Sequence, residues 1–515
     1  MLLSGVLISA LISLTCHSQS ASGKQVPFTG ISESEECCFA IQELLPGIVA
    51  WPGSASYINQ QSSYYSAGQA ELQPQCRLSP TTASDVSRIL NFATEHKCRF
   101  AVRSGGHMAW RGASNSDNRG FTIDLQNLGP NVSLSEDRRI VSFSAGSRWR
   151  DVYKELTPHN LTTVGGRVGD VGVAGFLLGG GIGFLTSKHG FGSDNVINYE
   201  VVLADGTIVN ANDEENSDLY WALKLGSTNF GIVTRFEMRT FSQGKAWGGS
   251  QFFALDDAPG LLERLVGFTK KSSDDPRGFF GLSLAWNAVQ QSYIVWALQT
   301  YLEPVPYPPL WSDFVGVSPL IDTVGIKNLI DITEEFQEAD PGKQGRSLWS
   351  SMSFVPDAQF HLDVHRKGVE VFEPYHGHPG VTWAVSVQPL PRYALTVASE
   401  AGGNPIIANP EEDLWIMLIN TDWLDTKDDT AMTESSRELI QWAETEAVRR
   451  GLFRPFVYMN YAAGYQNVIS RATGKNLERM LEVKKTYDPD DLLDELWLGG
   501  FKLPRQKREH DRSEL

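Results

Sequence analysis

The chain has 515 residues, and at roughly 100–200 residues per domain its length alone allows about three to five domains. Hydrophobic residues make up 41% and charged residues 20%, a globular profile that excludes wholesale disorder. Asp and Glu number 61 against 44 Lys and Arg, a formal charge of −17, which excludes a nonspecific binder of nucleic-acid backbone and leaves a small molecule as the expected partner.

Residues 2–15 read LLSGVLISALISLT and are followed by Cys16, His17 and SQSAS, the pattern of a secretory leader over about 1–20. The run is too short for a bilayer, which needs about 20 apolar residues, so a secreted chain with no membrane span is expected. Removing the leader takes Cys16 and leaves Cys37, Cys38, Cys76 and Cys98. An even count in an exported chain predicts two disulfides. A vicinal bond would be strained, so Cys37 and Cys38 are each expected to pair with Cys76 or Cys98. The sequons at Asn131 and Asn160 would be glycosylation sites in that compartment.

From about 72 to 243 helix and strand signals alternate, as in an α+β domain. Thr82 and Asp85 can cap a helix with apolar Val86, Ile89, Leu90 and Ala93 at helical spacing. The strand FAVR (100–103) runs into Ser104-Gly105-Gly106-His107, strand-like FTIDL (121–125) and IVSFSAG (140–146) follow, and an amphipathic helix is predicted near 148–157. Next come GGRVGDVG (165–172), Gly175 and GGGIG (179–183), the densest glycine cluster. Asp205-Gly206 between two β-branched runs predicts a hairpin. From 244 to 450, segments rich in Trp and Phe, such as GFFGLSLAW and LWIMLINTDW, predict an antiparallel sheet with one face on helices and the other over a cavity. Helices are predicted near 259–271 and 427–450. Residues 451–503 contain RPFVYMNYAAGY and the helix LERMLEVKKTY, and 504–515 form a charged, mixed-sign tail.

Glycine-rich turns let backbone N–H groups approach a pyrophosphate without a Cβ in the way, and Gly179, Gly180, Gly181 and Gly183 fit that need. A tightly packed turn accounts for them equally well. The G-x-G-x-x-G spacing fails at every register, which argues against a Rossmann site. His107, at the end of a strand after two glycines, can reach a ligand as a base, a metal ligand or a covalent attachment point, or can be a satisfied structural histidine. His361 and His365 have the i, i+4 spacing of a helical metal site, but Leu362 stands where a metalloprotease would have Glu. No metal is expected there, and these histidines are read as solvated in a loop-rich stretch. No G-x-S-x-G elbow supports a serine hydrolase.

RSGGH (103–107), GGGIG (179–183), GFGSDNV (190–196), Asp205-Gly206, GSTNFGIV (226–233) and YMNY (458–461) occur in that order. This ordered set resembles the FAD-linked oxidoreductases of the vanillyl-alcohol-oxidase superfamily, specifically the berberine-bridge-enzyme-like branch and its secreted fungal members, over about residues 37–503. The resemblance implies an α+β fold: a two-lobed PCMH-type FAD-binding domain over 37–243, with its core at 72–243, completed by 451–503. An antiparallel-sheet substrate domain over 244–450 would be inserted in it. It implies FAD attached covalently through His107, with Arg103, Ser104, Gly105, Gly106, Val171, Gly172, the glycines 179–181 and 183, Asp194, Asn195, Ile232 and Asn460 around the cofactor.

Where relatives with a second covalent link have Cys, this chain has Val168, so a single link is expected. Val171 would lie beside the oxygen-reactive edge of the flavin and leave room for O2. Read as a strand, YMNY puts Tyr458 and Asn460 on one face and Tyr461 on the other. Either tyrosine could take a substrate proton. The expected activity is a monomeric oxidase that takes a hydride from an alcohol, amine or activated C–H of a specialised metabolite and passes the electrons to O2, giving H2O2. An oligosaccharide oxidase, a dehydrogenase using another acceptor and a noncatalytic flavin-binding protein are the alternatives.

Overall fold

A computed structural model describes residues 32–129, 132–339, 345–406 and 409–505. The leader, the sequon Asn131 and most of the tail lie outside the described residues. Helix Glu33–Leu44 carries Cys37 and Cys38 on its buried side. Successive helical side chains diverge by about 100°, so the two thiols reach different partners. Cys37 bonds Cys98 and Cys38 bonds Cys76, as the even count predicts. Helix Ala83–Glu95 opens on the predicted capping box: Asp85 N donates to Thr82 Oγ1 at 3.1 Å and Thr82 N to Asp85 Oδ2 at 3.0 Å. Its face of Val86, Ile89, Leu90 and Ala93 is fully buried.

Strands Arg77–Leu78, Phe121–Asp124 and Phe100–Arg103 pair in parallel, with Val49–Ala50 antiparallel at the edge. A second, antiparallel sheet orders Val132–Leu134, Ile140–Ser144, Ile232–Arg239, Val196–Val202 and Ile208–Ala211. Its hairpin turns at Asp205-Gly206, where Gly206 has φ +81°, a conformation glycine adopts without a Cβ penalty.

Among the described residues the largest sheet has nine strands, all antiparallel. Its central run is Ala246–Ala254, Ser292–Tyr301, Gly278–Asn287, Thr382–Leu390, Leu414–Trp423 and Arg346–Phe354. Strand alternation divides its two faces: Met417 and Ile419 join a buried apolar core, while Leu418 and Asn420 line a cavity. Helices Ala258–Lys271, Ala358–Phe372 and Asp429–Arg449 supply that core from the other side.

Two polar latches tie this sheet region to the chain before it. Arg346 pairs with Asp429, with Nη2 2.7 Å from Oδ2, and also with Glu71. Gln337, on helix Leu329–Glu338, accepts from Asp170 N at 2.8 Å and donates to Asp170 Oδ2 at 2.8 Å.

Two expectations are corrected. His361 and His365 are neither solvated nor in a loop. They sit on the inner face of helix Ala358–Phe372, 0% and 4% exposed, because its outer face already carries Gln359, Asp363 and Arg366. YMNY is not a strand. Tyr461 N donates to Tyr458 O at 3.0 Å and Ala462 N to Met459 O at 3.1 Å, which winds Met459–Tyr461 into a 3₁₀ turn. Among the described residues, 458–461 pair with no strand, and the Asn460 side chain instead fills the space left by Gly179, where a Cβ would lie 2.1 Å from Asn460 Oδ1.

Candidate active site

Strand Phe100–Arg103 delivers its residues alternately to two sides. Val102 and Ser104 line the cavity. Arg103, expected at the cofactor, turns the other way into a buried pair with Asp124 at 3.0 Å, with further bonds to Gln60 O and Ser63. Ser104 Oγ is anchored on Ala145 O at 2.6 Å. Gly106, at φ +66°, turns the chain so that His107 faces the cavity, stacked on Tyr65 with ring centroids 4.2 Å apart.

Gly105 and Gly172 meet backbone to backbone. A Cβ on either would lie 2.3 or 2.4 Å from the other's nitrogen, so only glycine at both positions lets the His107 loop and the Val168–Gly172 loop close together. Arg148 bridges the two loops, donating to Gly105 O at 3.1 Å and to Asp170 O. Val168, Val171 and Gly172 therefore lie in the same wall as His107.

The second half of the glycine cluster behaves differently. Gly179, Gly180, Gly181 and Gly183 do not line the cavity; between them only Ile182 does. A Cβ on Gly181 would strike the Phe176 ring at 2.5 Å, and one on Gly183 would strike Gly165 O at 2.0 Å. Of the two readings open for this cluster, packed turn is the one its geometry fits. Asp194 and Asn195 are also buried behind the wall. Asp194 accepts from Asn404 at 2.9 Å, and Asn195 donates to His189 O and Phe191 O. Burial pushes the Asp194 carboxyl above the usual carboxylate range. Ile232 lines the cavity.

The two tyrosines differ in their surroundings. Tyr458 is 2% exposed, and its hydroxyl accepts from Ile182 N at 2.7 Å and from Asn460 Nδ2 at 3.0 Å. Burial, then the neighbouring Tyr461, pushes its ionisation well above the ordinary phenol range. Tyr461 packs edge-on against it at 4.8 Å, donates to Gln388 Oε1 at 3.3 Å and accepts from the Arg167 guanidinium. That guanidinium also lies 4.7 Å over the Phe279 ring. Trp349 stands between the two ends of the site, 6.1 Å from His107 and 6.2 Å from Tyr461.

Arg167, Gln388 and Trp349 were not singled out by the sequence reading. Arg167 had one visible signal, as a lone cation inside a glycine run. Gln388 and Trp349 had none, because they come from strands whose chemistry depends on which face meets the cavity.

The cavity these groups share has a volume of about 600 Å³, within the range of cofactor and substrate clefts. Its walls hold no Asp, Glu or Lys among the described residues. Three lining tryptophans, Trp110, Trp286 and Trp296, and the lining Gln388 each have a buried N–H group without a partner among the described residues. Such donors are open to a polar ligand or to ordered water. Gly175 also lines the cavity, and a Cβ there would meet nothing within 4 Å, so the wall is left bare where a side chain would take up ligand space.

A family model described as an FAD binding domain matches residues 74–212. An FAD-dependent monooxygenase of Aspergillus calidoustus is 32% identical over 489 residues, covering 92% of each chain. The chain belongs to the FAD-linked oxidoreductases. Its fold is the PCMH-type fold of the berberine-bridge-enzyme-like branch. The 6-hydroxy-D-nicotine oxidase of Arthrobacter nicotinovorans superposes with a TM-score of 0.73 at 20% identity, covering 90% of this chain and 98% of that one. The wild-type BBE-like 1 protein of Physcomitrella patens gives 0.72 at 19%, covering 92% and 99%. This oxidoreductase therefore binds FAD and acts on a small molecule, and the unpartnered donors and bare glycine wall of its cavity fit such a ligand. None of its described helices is long and apolar enough to cross a membrane.

Proposed function

We propose that this enzyme oxidises a small organic molecule of specialised metabolism, taking a hydride from an alcohol, amine or activated C–H, with its cofactor tethered through His107 alone. The observation that carries the reading is the convergence of His107, Val171, Arg167 and Tyr461 on one cavity. Bound FAD would supply the hydride acceptor, whose electron pair together with two protons would reduce O2 to H2O2.

The chain's own residues supply the rest. Tyr461 acts as the phenolate, whose negative charge the Arg167 guanidinium compensates, and takes the substrate's exchangeable proton to become the neutral phenol that donates to Gln388. Gln388 fixes the direction of the phenol. Tyr458, locked as an acceptor from Ile182 and Asn460, positions Tyr461 and does not exchange a proton. The Ser104–His107 loop and the Val168–Gly172 loop hold the cofactor, together with Ile232. Val168 cannot form a thioether, which supports a single tether.

On this reading residues 37–243 and 451–503 form the cofactor lobe and 244–450 roof the substrate. The leader over 1–20 and the two disulfides support secretion, with Asn160 exposed for glycosylation. A second reading is favoured by relatives described as FAD-dependent monooxygenases: a monooxygenase, which places one oxygen atom of O2 in the product and reduces the other to water with two protons and an electron pair from an external hydride donor.

Flavin fluorescence on a denaturing gel tests the tether. Wild type should fluoresce and His107→Ala should not; fluorescence that survives in the variant assigns the bond elsewhere. Turnover under ¹⁸O2 separates the two readings. One H2O2 per product without label supports the oxidase, and label in the product overturns it.

A further inference from the structure

The geometry points to His376 as a positioning residue for the outer wall of the cavity, a latch that is closed when its ring is uncharged and released by acid. The inference goes beyond the reaction proposed above and holds whichever compound the cavity takes. Strands Gly278–Asn287, Ser292–Tyr301 and Thr382–Leu390 have neighbouring ends at one side of the cavity. Ala285, Ile294 and Ala384 stand in register across the three and line it. One residue along, Trp286, Tyr293 and Trp383 are again in register. Strand alternation turns these three rings toward the helices, where they pack on the apolar core, while Trp286 and Trp383 also border the cavity mouth.

His376 touches all three rings of that second row. Its imidazole lies flat on Trp286, with centroids 3.8 Å and planes 8° apart. Its Nε2 accepts from Trp383 Nε1 at 3.2 Å and lies 3.4 Å from Tyr293 Oη. Trp383 has little room to move, because His365 and Phe372 stack on it at 5.4 and 5.2 Å and its ring fills the space beside Gly368, where a Cβ would lie 2.6 Å away.

An indole N–H only donates, so Nε2 is the unprotonated nitrogen and the bond exists only for the uncharged ring. A proton on Nε2 turns the acceptor into a second donor. The Tyr293 hydroxyl can rotate to accept from it, but the pinned indole cannot. The imidazolium therefore withdraws from Trp383, and Trp286 loses the ring stacked on it. Trp286 and Tyr293 flank the turn 288–291, whose Val289 lines the cavity and is 93% exposed. Release of the latch thus loosens the cavity mouth.

The neighbouring titratable groups leave this proton as the deciding one. Glu373, on the turn Glu373–Tyr375 just before His376, is the nearby carboxylate; burial holds the imidazole below the ordinary histidine range, and Glu373 offsets part of that. Burial and then Glu373 keep the Tyr293 phenol protonated. His365, whose ring lies 5.2 Å from Tyr293, is depressed to about 4 by burial, and His361, one turn earlier on the same helix, to about 3. His378 is engaged by Asp428 at 3.0 Å. The latch is therefore closed above about pH 6.5 and opens as pH falls through the lower folded value.

Hydrogen exchange on the full-length enzyme, from about pH 7.5 to about pH 4.5, tests this, with backbone rates scaled for the pH dependence of unstructured amides. In wild type, peptide 286–294 should exchange about fivefold faster at the acid end, the scale of one lost neutral hydrogen bond. Peptide 232–239, in the second sheet, should not change. Exchange of the imidazole C2 hydrogen in the same samples gives the titration midpoint of His376, which should coincide with that of the loosening. His376→Gln keeps an acceptor that does not titrate and should abolish the acid step. The two wild-type midpoints carry the test where His376→Gln does not fold. A flat profile for 286–294, a step shared by 232–239, midpoints that differ, or a step that persists in His376→Gln overturns the inference.

Discussion

Tyr458 and Tyr461 are three residues apart in sequence and 4.8 Å apart between rings, yet their hydroxyls have opposite duties. The Tyr458 oxygen satisfies two buried donors, Ile182 N and Asn460 Nδ2. Tyr458→Phe leaves Ile182 N unpaired and removes one of the two bonds of Asn460 Nδ2, which keeps Phe176 O at 3.1 Å, at a cost of about 1–3 kcal/mol. Tyr461 Oη faces the cavity between Arg167 and Gln388. Its loss unpairs Gln388 Oε1, but at the cavity wall where a ligand or water can replace it, so it should cost less stability than Tyr458→Phe and lower turnover by about a hundredfold or more, as removal of a proton-transfer group does. Thermal melts and steady-state kinetics on the two Phe variants should therefore give crossed results, and a Tyr461→Phe enzyme with wild-type turnover would refute the assignment. The YMNY motif was readable in the sequence, but not the division of labour within it. Read as a strand it separates the tyrosines, whereas the 3₁₀ turn packs them together.

Elements were legible where local signals sufficed. The capping box at Thr82 and the hairpin at Asp205-Gly206 are formed by neighbours in sequence, and both appear as expected. Strand Arg346–Phe354 was not anticipated, because Ser347, Ser350, Ser351 and Ser353 make it look like a loop. Tertiary acceptors satisfy three of those hydroxyls: Ser347 Oγ donates to Asp422 Oδ1, Ser351 Oγ to Met417 O and Ser353 Oγ to Phe456 O. Helix Ala358–Phe372 was hidden by its two inward histidines. Burial depresses the folded-state pKa of His361 to about 3, with repulsion from His365 adding to it, and that of His365 to about 4, against about 6.5 unfolded.

The folded state therefore binds fewer protons than the unfolded one. The stability tied to these groups is complete above about pH 6.5 and is lost as pH falls toward the folded values. The loss is roughly 2 kcal/mol per histidine between pH 7 and pH 5. Denaturant unfolding at the two pH values should show that drop reduced by about one histidine's share in His365→Phe, whose ring can keep the stack on Trp383. An unchanged drop would place the acid sensitivity elsewhere.

At the scale of the whole molecule, two disulfides staple helix Glu33–Leu44 across loops of 61 and 38 residues, each worth about 2–4 kcal/mol. Reduction should lower the melting temperature by several degrees, and a melt indifferent to reductant would contradict this account of their role. The pairing class followed from counting cysteines, and the connectivity from the helix that points Cys37 and Cys38 apart. By itself the sequence determined the family, the FAD requirement, the position of His107 after its two glycines and five of the six central strands of the large sheet. Each of these is written in residue order or in spacings of a few positions. Only the tertiary structure decided which predicted residues face the cavity: Arg103 turned away into an ion pair with Asp124, while Gly179–Gly181 and Asp194 became packing behind the wall. It also brought Arg167, Gln388 and Tyr461 together from positions up to 294 residues apart. Their meeting depends on how loops and sheet faces pack against one another, a long-range outcome that no local pattern encodes.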